Sequence, residues 1–468
     1  MSAAAPASPA WRVARAYEQY KAGRLSDARA ILDAVLRRQP DYADAHDLTG
    51  LIALAEGDAE AASAALARAA DLDPRPERLN DLGAALCQAG RPDAAADAFQ
   101  RALTLDPAYA RAWTNLAACL LDMDALPEAG AALDRAEALG ANLSTQRNRA
   151  QWLKAMGKGK ESVALLRPLV DSRPEDLDLR LDLALAEEAA GDLAAAGASL
   201  AVLTTARPDW PRAWFMAGEI ARAQGQPEEA KRCFRRALEL DPTDSCGAGL
   251  ALALLDPSAA PAQAPAEFLR GLFDQYAVRF DAALVEKLGY QAPALLRALI
   301  DAHARQGFEH VVDLGCGTGL SGEPLRPIAK RLTGIDLSAG MLARAKDRAC
   351  YDALIEGDLA ESLNAMPQGS VDLAVAADVL VYLGDLAPLF AAVARALRPD
   401  GLFAFSVERL EGDGDYRLTE SRRYAHGADY LQSLAASQGF AAVAFEAAST
   451  RKDRDHPVPG YLMLLRRP

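Results

Sequence analysis

The residues best suited to chemistry lie in one run, Asp313-Leu-Gly315-Cys-Gly317-Thr-Gly319, followed at a distance by Asp336 and Asp358. Small residues at 315, 317 and 319 let a ligand approach the backbone where a strand turns into a helix. Asp336 comes 21 residues after Gly315. A carboxylate at the end of a second strand can accept both hydroxyls of a ribose. Asp358 ends the next apolar run, where an adenine edge would lie. Two cofactors fit. One is a nicotinamide dinucleotide, because Gly317-Thr-Gly319-Leu-Ser-Gly322 formally reads GxGxxG; counted from the strand end at Gly315, however, the third glycine slot holds Leu320. The other is S-adenosylmethionine. It has no phosphates and needs a close turn for its methionine part, a ribose acid and an adenine acid.

The elements that must position these residues are legible as alternating runs. HVVDLG, RLTGIDL, ALIEGD, VDLAVAADV and GLFAFSVE are separated by helical stretches, and FAAVAFEAAS and GYLMLLRR follow. That alternation predicts a mostly parallel, doubly wound sheet of seven strands, with the ligand at the carboxyl ends of its strands. The last two runs are joined by about Thr450 to Pro459, too short for a parallel crossover, so an antiparallel hairpin at the sheet edge is expected.

The first half follows a different rule. Prolines recur at 40, 74, 107, 174, 208 and 242, and glycines at 23, 57, 90, 157, 191 and 225. The one skipped unit has Asp124 in the glycine slot and Ala141 in the proline slot. A glycine that ends one helix and a proline that cannot continue the next give a helix pair per period. Small residues mark where the two helices touch: Gly50, Gly83 and Gly218 in first helices, and Ala28, Ala62, Ala95, Ala129, Ala196 and Ala230 in second ones. A large apolar side chain follows four residues on, as at Leu66, Phe99 and Phe234. One such pair cannot bury its apolar face alone, so the pairs must stack. Residues 246–255 read as a capping helix. DPSAAPAQAP at 256–265 reads as a semi-rigid linker.

Composition sets outer limits. The 468 residues carry a formal charge of −14, with 51% apolar and 6% aromatic residues. Both halves are acidic, which argues against a nucleic-acid backbone as main partner. The six cysteines form no CxxC, so neither a zinc site nor a disulfide framework is expected. Residues 1–10 lack the basic and apolar segments of a signal peptide, and no apolar stretch is long enough for a membrane span. A cytoplasmic protein is the expectation.

AWTNLAACL at 112–120 and DAAADAFQRALTLDP at 93–107 resemble the tetratricopeptide repeat family. The resemblance covers residues 9–242 as seven repeats and implies an all-α solenoid whose concave face often holds a peptide. Mapping the first helices onto that face puts Asn80, Arg111, Asn115, Arg147, Asn148, Gln151 and Lys154 in the groove, either to bind a protein or peptide or as a solvated polar face. Homo-oligomerisation is left open. After the cap and linker (243–265), DLGCGTG, GIDLS and EGDL together resemble class I S-adenosylmethionine-dependent methyltransferases, over residues 266–468. FDQYAVRFD at 273–281, AADVLVYLGDL at 376–386 and RRYAHGADYLQSLAASQGF at 422–440 resemble more narrowly the bacterial branch that fuses such repeats to a methyltransferase. The implied fold is multidomain, an all-α solenoid and then an α/β Rossmann-like domain. The implied cofactor is S-adenosylmethionine. By the resemblance, Gly315, Gly317 and Gly319 pass its methionine part, and Asp313 anchors that loop and helps fix the amino group. Asp336 holds the ribose, Leu337 and Met341 flank the adenine, and Asp358 reads its amino group with a backbone contact from Leu359. The carbonyl of Ala377 meets the amine, and Tyr276 closes over the cofactor.

Methyl transfer is an in-line displacement, so alignment and water exclusion matter most, and a base is needed only for a protonated nucleophile. Candidates are Asp378, Tyr382, Tyr424, His456 and, first, His426, because histidine titrates near neutrality. The charged stretch 409–425 is expected to form a lid or substrate wall. No NPPY-type tetrapeptide follows the fourth run; VYLG stands there, which argues against amino-methylation of nucleobases. The expected activity is methyl transfer to a protein or peptide recruited by the array. The alternatives are a small carboxylic acid or natural-product intermediate, with the array used for assembly, and a non-catalytic cofactor-sensing module.

Overall fold

The computed structural model describes residues 8–277, 280–281, 289–304, 307–453 and 456–468. Part of the N-terminal expectation (1–7) and part of the 273–281 stretch (278–279) lie outside these residues. The chain divides into two compact units, Met1–Ser199 and Leu200–Pro468.

In the first unit helices follow one another in antiparallel-style pairs: α1 (Pro9–Lys21) and α2 (Leu25–Leu36), α3 (Ala43–Glu56) and α4 (Ala59–Leu72), α5 (Pro76–Gln88) and α6 (Pro92–Leu105), α7 (Ala110–Asp122) and α8 (Leu126–Ala138), α9 (Leu143–Ala155) and α10 (Gly159–Ser172), and α11 (Leu177–Ala189) and α12 (Leu193–Ala206), inside which the division falls. Gly57 ends α3 with φ +81, and Asp124, in the substituted glycine slot, takes the same left-handed turn with φ +59. The small-residue rule has a direct cause. A Cβ on Gly83 would lie 2.5 Å from Phe99 Cε1, and one on Gly50 would lie 2.5 Å from Leu66 Cγ. The small residue of one helix is the socket for the large residue of the next.

The polar residues expected in the groove are engaged between repeats. Asn115 Nδ2 donates to Asn80 Oδ1 at 2.9 Å, and Asn148 Nδ2 donates to the Thr114 carbonyl at 3.1 Å. Arg111 pairs with Asp81 and Arg147 with Asp182, each at 2.5 Å. Asn80 is fully buried. These side chains form a ladder linking the third helix pair to the fourth, the fourth to the fifth and the fifth to the sixth. Gln151 is exposed and Lys154 half-buried.

The second unit contains α13 (Pro211–Ala223), α14 (Pro227–Leu240) and α15 (Ala248–Leu255), then α16 (Ala266–Tyr276), α17 (Ala292–His303), α18 (Gly322–Leu325), α19 (Ala339–Asp347), α20 (Leu359–Ala365), α21 (Ala387–Ala396) and α22 (Ala428–Ser437). Its strands are β1 (Phe308–Leu314), β2 (Ala329–Asp336), β3 (Ala353–Glu356), β4 (Val371–Ala376), β5 (Leu397–Arg409), β6 (Tyr416–Leu418), β7 (Tyr424–His426), β8 (Ala441–Ala448), β9 (Lys452–Asp453), β10 (His456–Pro457) and β11 (Gly460–Arg466). The main sheet runs β3-β2-β1-β4-β5-β11-β8. The first five strands are parallel, and β11 lies antiparallel between β5 and β8. All seven expected runs are strands, and the strand order reverses beside β1, where a ligand crevice opens. Phe390 packs edge-on against Phe403, Phe405 and Phe440 and closes one face of the sheet.

Two features add to the sequence reading. Within the expected wall at 409–425, β6 and β7 form a hairpin, and β7 extends the sheet parallel to β5. The 256–265 segment, expected as a semi-rigid linker, is pinned by backbone bonds. The amides of Gly384 and Asp385 donate to Ala262 O at 2.8 and 2.9 Å, and the Ala264 amide donates to Tyr382 O at 2.8 Å. Leu250 of α15 is buried in one cluster with Ala264, Leu269 and Tyr424. Among the described residues no helix is long and apolar enough to cross a membrane.

Candidate active site

The turn after β1 is held open by its own backbone. Gly315 has φ +68, and a Cβ there would lie 2.4 Å from Val379 Cγ2. The Gly315 and Cys316 amides donate to the Ile335 carbonyl at 2.8 and 3.0 Å, tying the turn to β2. At the end of β2, Asp336 accepts from the Gly317 amide at 2.8 Å through Oδ2 and from the Ser338 amide at 2.9 Å through Oδ1. Burial pushes its carboxyl up, against the pull of these amides. Asp358 caps α20, its Oδ1 accepting from the Ala360 and Glu361 amides at 2.9 and 3.0 Å.

These residues face a cavity of about 450 Å³. It brings together Tyr276, Gly315, Gly317, Asp336, Leu337, Met341, Asp358, Leu359 and Ala377 from the cofactor set, and Asp378 and Tyr382 from the catalytic candidates. The Ala377 carbonyl accepts from the Tyr290 hydroxyl at 3.4 Å. Asp378, at a left-handed φ of +52, accepts from Ser406 Oγ at 2.7 Å and from Thr450 Oγ1 at 2.9 Å, and burial pushes its carboxyl up. Both its oxygens are thus committed to holding the end of β4 against β5 and the loop after β8. Tyr382 meets Phe273 edge-on at 5.4 Å and lies under the Arg423 guanidinium at 5.5 Å.

Five expected residues are placed elsewhere. Gly319 packs toward α19, where a Cβ would lie 2.9 Å from Arg348 Cδ. Asp313 is fully buried behind the turn and accepts from the Tyr351 hydroxyl at 2.6 Å. Its Oδ1 finds no partner among the described residues. Burial pushes Asp313 up to about 7 despite the Tyr351 bond, and the Asp336 charge adds to the rise. Tyr424 is buried and donates to the Pro261 carbonyl at 2.5 Å. His456 is exposed on β10.

His426, the first choice as base, does not line the cavity. It is fully buried, and Nε2–H donates to the carbonyls of Leu383 at 2.9 Å and Gly384 at 3.2 Å. Burial drives its imidazole down to about 4, so at neutral pH it is a neutral clamp on the turn after β4.

The expected wall at 409–425 supplies part of the side opposite the cofactor acids, and the sequence reading missed what joins it there, Gln263 and Arg451. Ser421, Arg422 and Arg423 from the β6–β7 turn, Arg451 from the loop after β8, and Gln263 from the pinned segment all line the cavity. Two adjacent arginines in an otherwise Gly- and Asp-rich stretch were the available signal for the wall.

A methyltransferase-domain family model matches residues 312–405, and tetratricopeptide-repeat models match 13–75, 86–147, 148–211 and 211–244. The chain carries tetratricopeptide repeats followed by a methyltransferase domain. The match to the methyltransferase domain ends inside β5, at residue 405, so the β6–β7 turn, Arg451 and Gln263 lie outside it. A malonyl-[acyl-carrier protein] O-methyltransferase of Serratia marcescens is 33% identical over 21% of this chain and 38% of its own length. A trans-aconitate 2-methyltransferase of Paracidovorax citrulli is 35% identical over 25% and 49%. The chain therefore spans less than half the length of either curated relative. An S-adenosylmethionine-dependent methyltransferase structure from Mesorhizobium loti aligns at 28% identity and a TM-score of 0.30, covering 37% of this chain and 96% of that one.

The donor set of the methyltransferase domain fits S-adenosylmethionine. Among the described residues a Cβ on Gly317 would meet only Phe280, at 3.7 Å, so the backbone there is open to a close ligand. Two carboxylates stand at successive strand ends in the same cavity.

Proposed function

We propose that the protein is an S-adenosylmethionine-dependent methyltransferase whose acceptor enters the cavity from the side of the β6–β7 turn. The observation that carries this reading is the placement of Asp336 and Asp358 on one cavity with the bare backbone of Gly315 and Gly317. When bound, the cofactor supplies an electrophilic methyl group on a sulfonium. The chain's part is to bind and align. Asp336 takes the ribose hydroxyls while its own geometry is fixed by the Gly317 and Ser338 amides. Leu337 and Met341 sandwich the adenine, and Asp358 reads its amino group. The Ala377 carbonyl and Asp313 orient the amine end, Asp313 acting through the turn that it underlies. Tyr276 and Phe273 keep water from the methyl group.

The array is read as the recruiting part, docking a protein or peptide that is itself the acceptor or that delivers it. The repeat matches support this role. Titration calorimetry with S-adenosylhomocysteine tests the foundation. The full chain binds it and Asp336→Ala does not; wild-type affinity in that variant sinks the ribose assignment. Transfer of labelled methyl into protein and small-molecule fractions of a bacterial lysate then separates the two classes of acceptor.

A further inference from the structure

Phe215, Glu219 and Arg222 of α13 each lie 68 residues after Arg147, Gln151 and Lys154 of α9. That is two repeat periods, so the seventh repeat carries these three side chains at positions expected to face the groove. In α13 those positions are already occupied. Arg422 Nη2 donates to Glu219 Oε2 at 2.5 Å, and its guanidinium lies 5.5 Å over the Phe215 ring. Arg222 Nη1 lies 3.9 Å from Glu420 Oε2. The occupant is the chain's own β6–β7 turn. A carboxylate beside an aromatic face is the environment that suits a guanidinium. Among the described residues Glu219 Oε1 is buried without a partner, so this carboxylate has an acceptor to spare for a guanidinium that meets it with both prongs.

The other side of the turn belongs to the cavity, which Ser421 and Arg422 line. Arg423, next along, turns to Glu408 and shares it with Arg451. The hold on Arg422 is modest. Both members of its ion pair are 22% exposed, which screens the pair, and Arg422 is kept at φ +59, a conformation costly outside glycine. The tether gives the resident turn its advantage, as a high local concentration. A separate segment that brought its arginine without the strained backbone would make the same contacts at lower cost.

We propose that Phe215 and Glu219 form an arginine-binding subsite of the seventh repeat, that the β6–β7 turn occupies it as a resident ligand, and that an arginine-bearing peptide segment of a partner protein displaces Arg422 and loosens the wall of the cavity. The inference rests on the methyltransferase reading and names the partner chemistry and the control of that same site. The partner segment binds only the state in which the turn is released, so its binding draws the population toward that state.

The test uses the full chain as wild type, Glu219→Gln, Arg422→Ala, in which the subsite is vacated, and the double variant. Melting temperatures within a few degrees of one another show that all four fold. The probe is a capped synthetic peptide copying residues 418–422, with and without Arg422→Ala. In calorimetry the peptide should bind the Arg422→Ala chain at least fivefold more tightly than wild type, whose own turn competes. The peptide lacking the arginine should not bind, and the double variant should bind the arginine peptide about tenfold more weakly than Arg422→Ala alone. The second readout is the rate at which wild type releases S-adenosylhomocysteine. Saturating peptide should speed it severalfold, and Glu219→Gln should speed it without peptide. An Arg422→Ala chain that binds no peptide, or binding that Glu219→Gln leaves untouched, overturns the subsite. Release that neither the peptide nor Glu219→Gln alters overturns its link to the cavity. Wild type that binds no S-adenosylhomocysteine overturns the methyltransferase reading instead, and the peptide titrations still decide the subsite.

Discussion

Arg422, at the tip of the β6–β7 turn, donates to Glu219 of α13 at 2.5 Å and lies 5.5 Å over the ring of Phe215. The ion pair holds a residue whose backbone is in the left-handed region, φ +59, where non-glycine residues are rare. The segment that walls the cavity is thus fastened from outside by a helix of the repeat type.

That fastening predicts how the wall responds to a change in α13. Glu219→Gln keeps the size of the side chain and loses the charge. Both partners are 22% exposed, so the effect on global stability should stay near 1 kcal/mol or below. Amide exchange at 419–423 should nonetheless speed up severalfold. Unchanged exchange there would show that the turn holds itself.

Gly315 offers a sharper test of the turn after β1. Alanine there would place its Cβ against Val379 and strain a positive φ. Gly315→Ala should lose S-adenosylhomocysteine binding in calorimetry and melt at a lower temperature. Gly191→Ala, with nothing within 4 Å of the added Cβ, should pay only the backbone strain and keep cofactor affinity.

Two buried titratable groups impose opposite pH slopes. Asp313 rises from 3.8 to about 7 on folding, so the folded chain holds the extra proton and stability falls as pH climbs through that window. His426 drops from 6.5 to about 4, so the unfolded chain holds the extra proton and stability is lost as pH falls through its window. Between about pH 4 and 6.5 the two cancel, each worth roughly 1.4 kcal/mol per pH unit at most. Relative to wild type, Asp313→Asn should therefore gain stability with rising pH over that range, and His426→Gln should lose it. Urea unfolding from pH 4.5 to 7.5 reads both, and parallel profiles for all three proteins would refute the assignment.

In the array, Asn80→Ala should cost about 1–2 kcal/mol, because it removes a buried acceptor from Asn115. In a double-mutant cycle with Asn115→Ala the losses should be less than additive; strict additivity would mean that the rung does not couple the repeats.

Periodicity made the array readable, since each glycine and proline slot answers a backbone need that recurs every repeat. The sheet was readable because its apolar runs are long and its acids sit at strand ends. What escaped the sequence was contact across large separations. Arg423 and Arg451 meet only because β11 inserts between β5 and β8, which brings the loop after β8 to the end of β5. His426 looked like a base because its residue type titrates near neutrality, but local spacing carries no sign of the Leu383 and Gly384 carbonyls that claim it. Likewise the Pro- and Ala-rich 256–265 segment shows nothing in its composition of the three backbone bonds that pin it.

Those bonds, with Leu250 buried against Leu269 and Tyr424, say where this gene could be cut and rejoined. A recombination that copied the methyltransferase alone from residue 266 would tear open an apolar seam and free the turn beside the cavity. A transfer that kept α13, α14 and α15 would move a sealed piece. The heritable unit of the methyltransferase domain is therefore expected to include the last helices of the array.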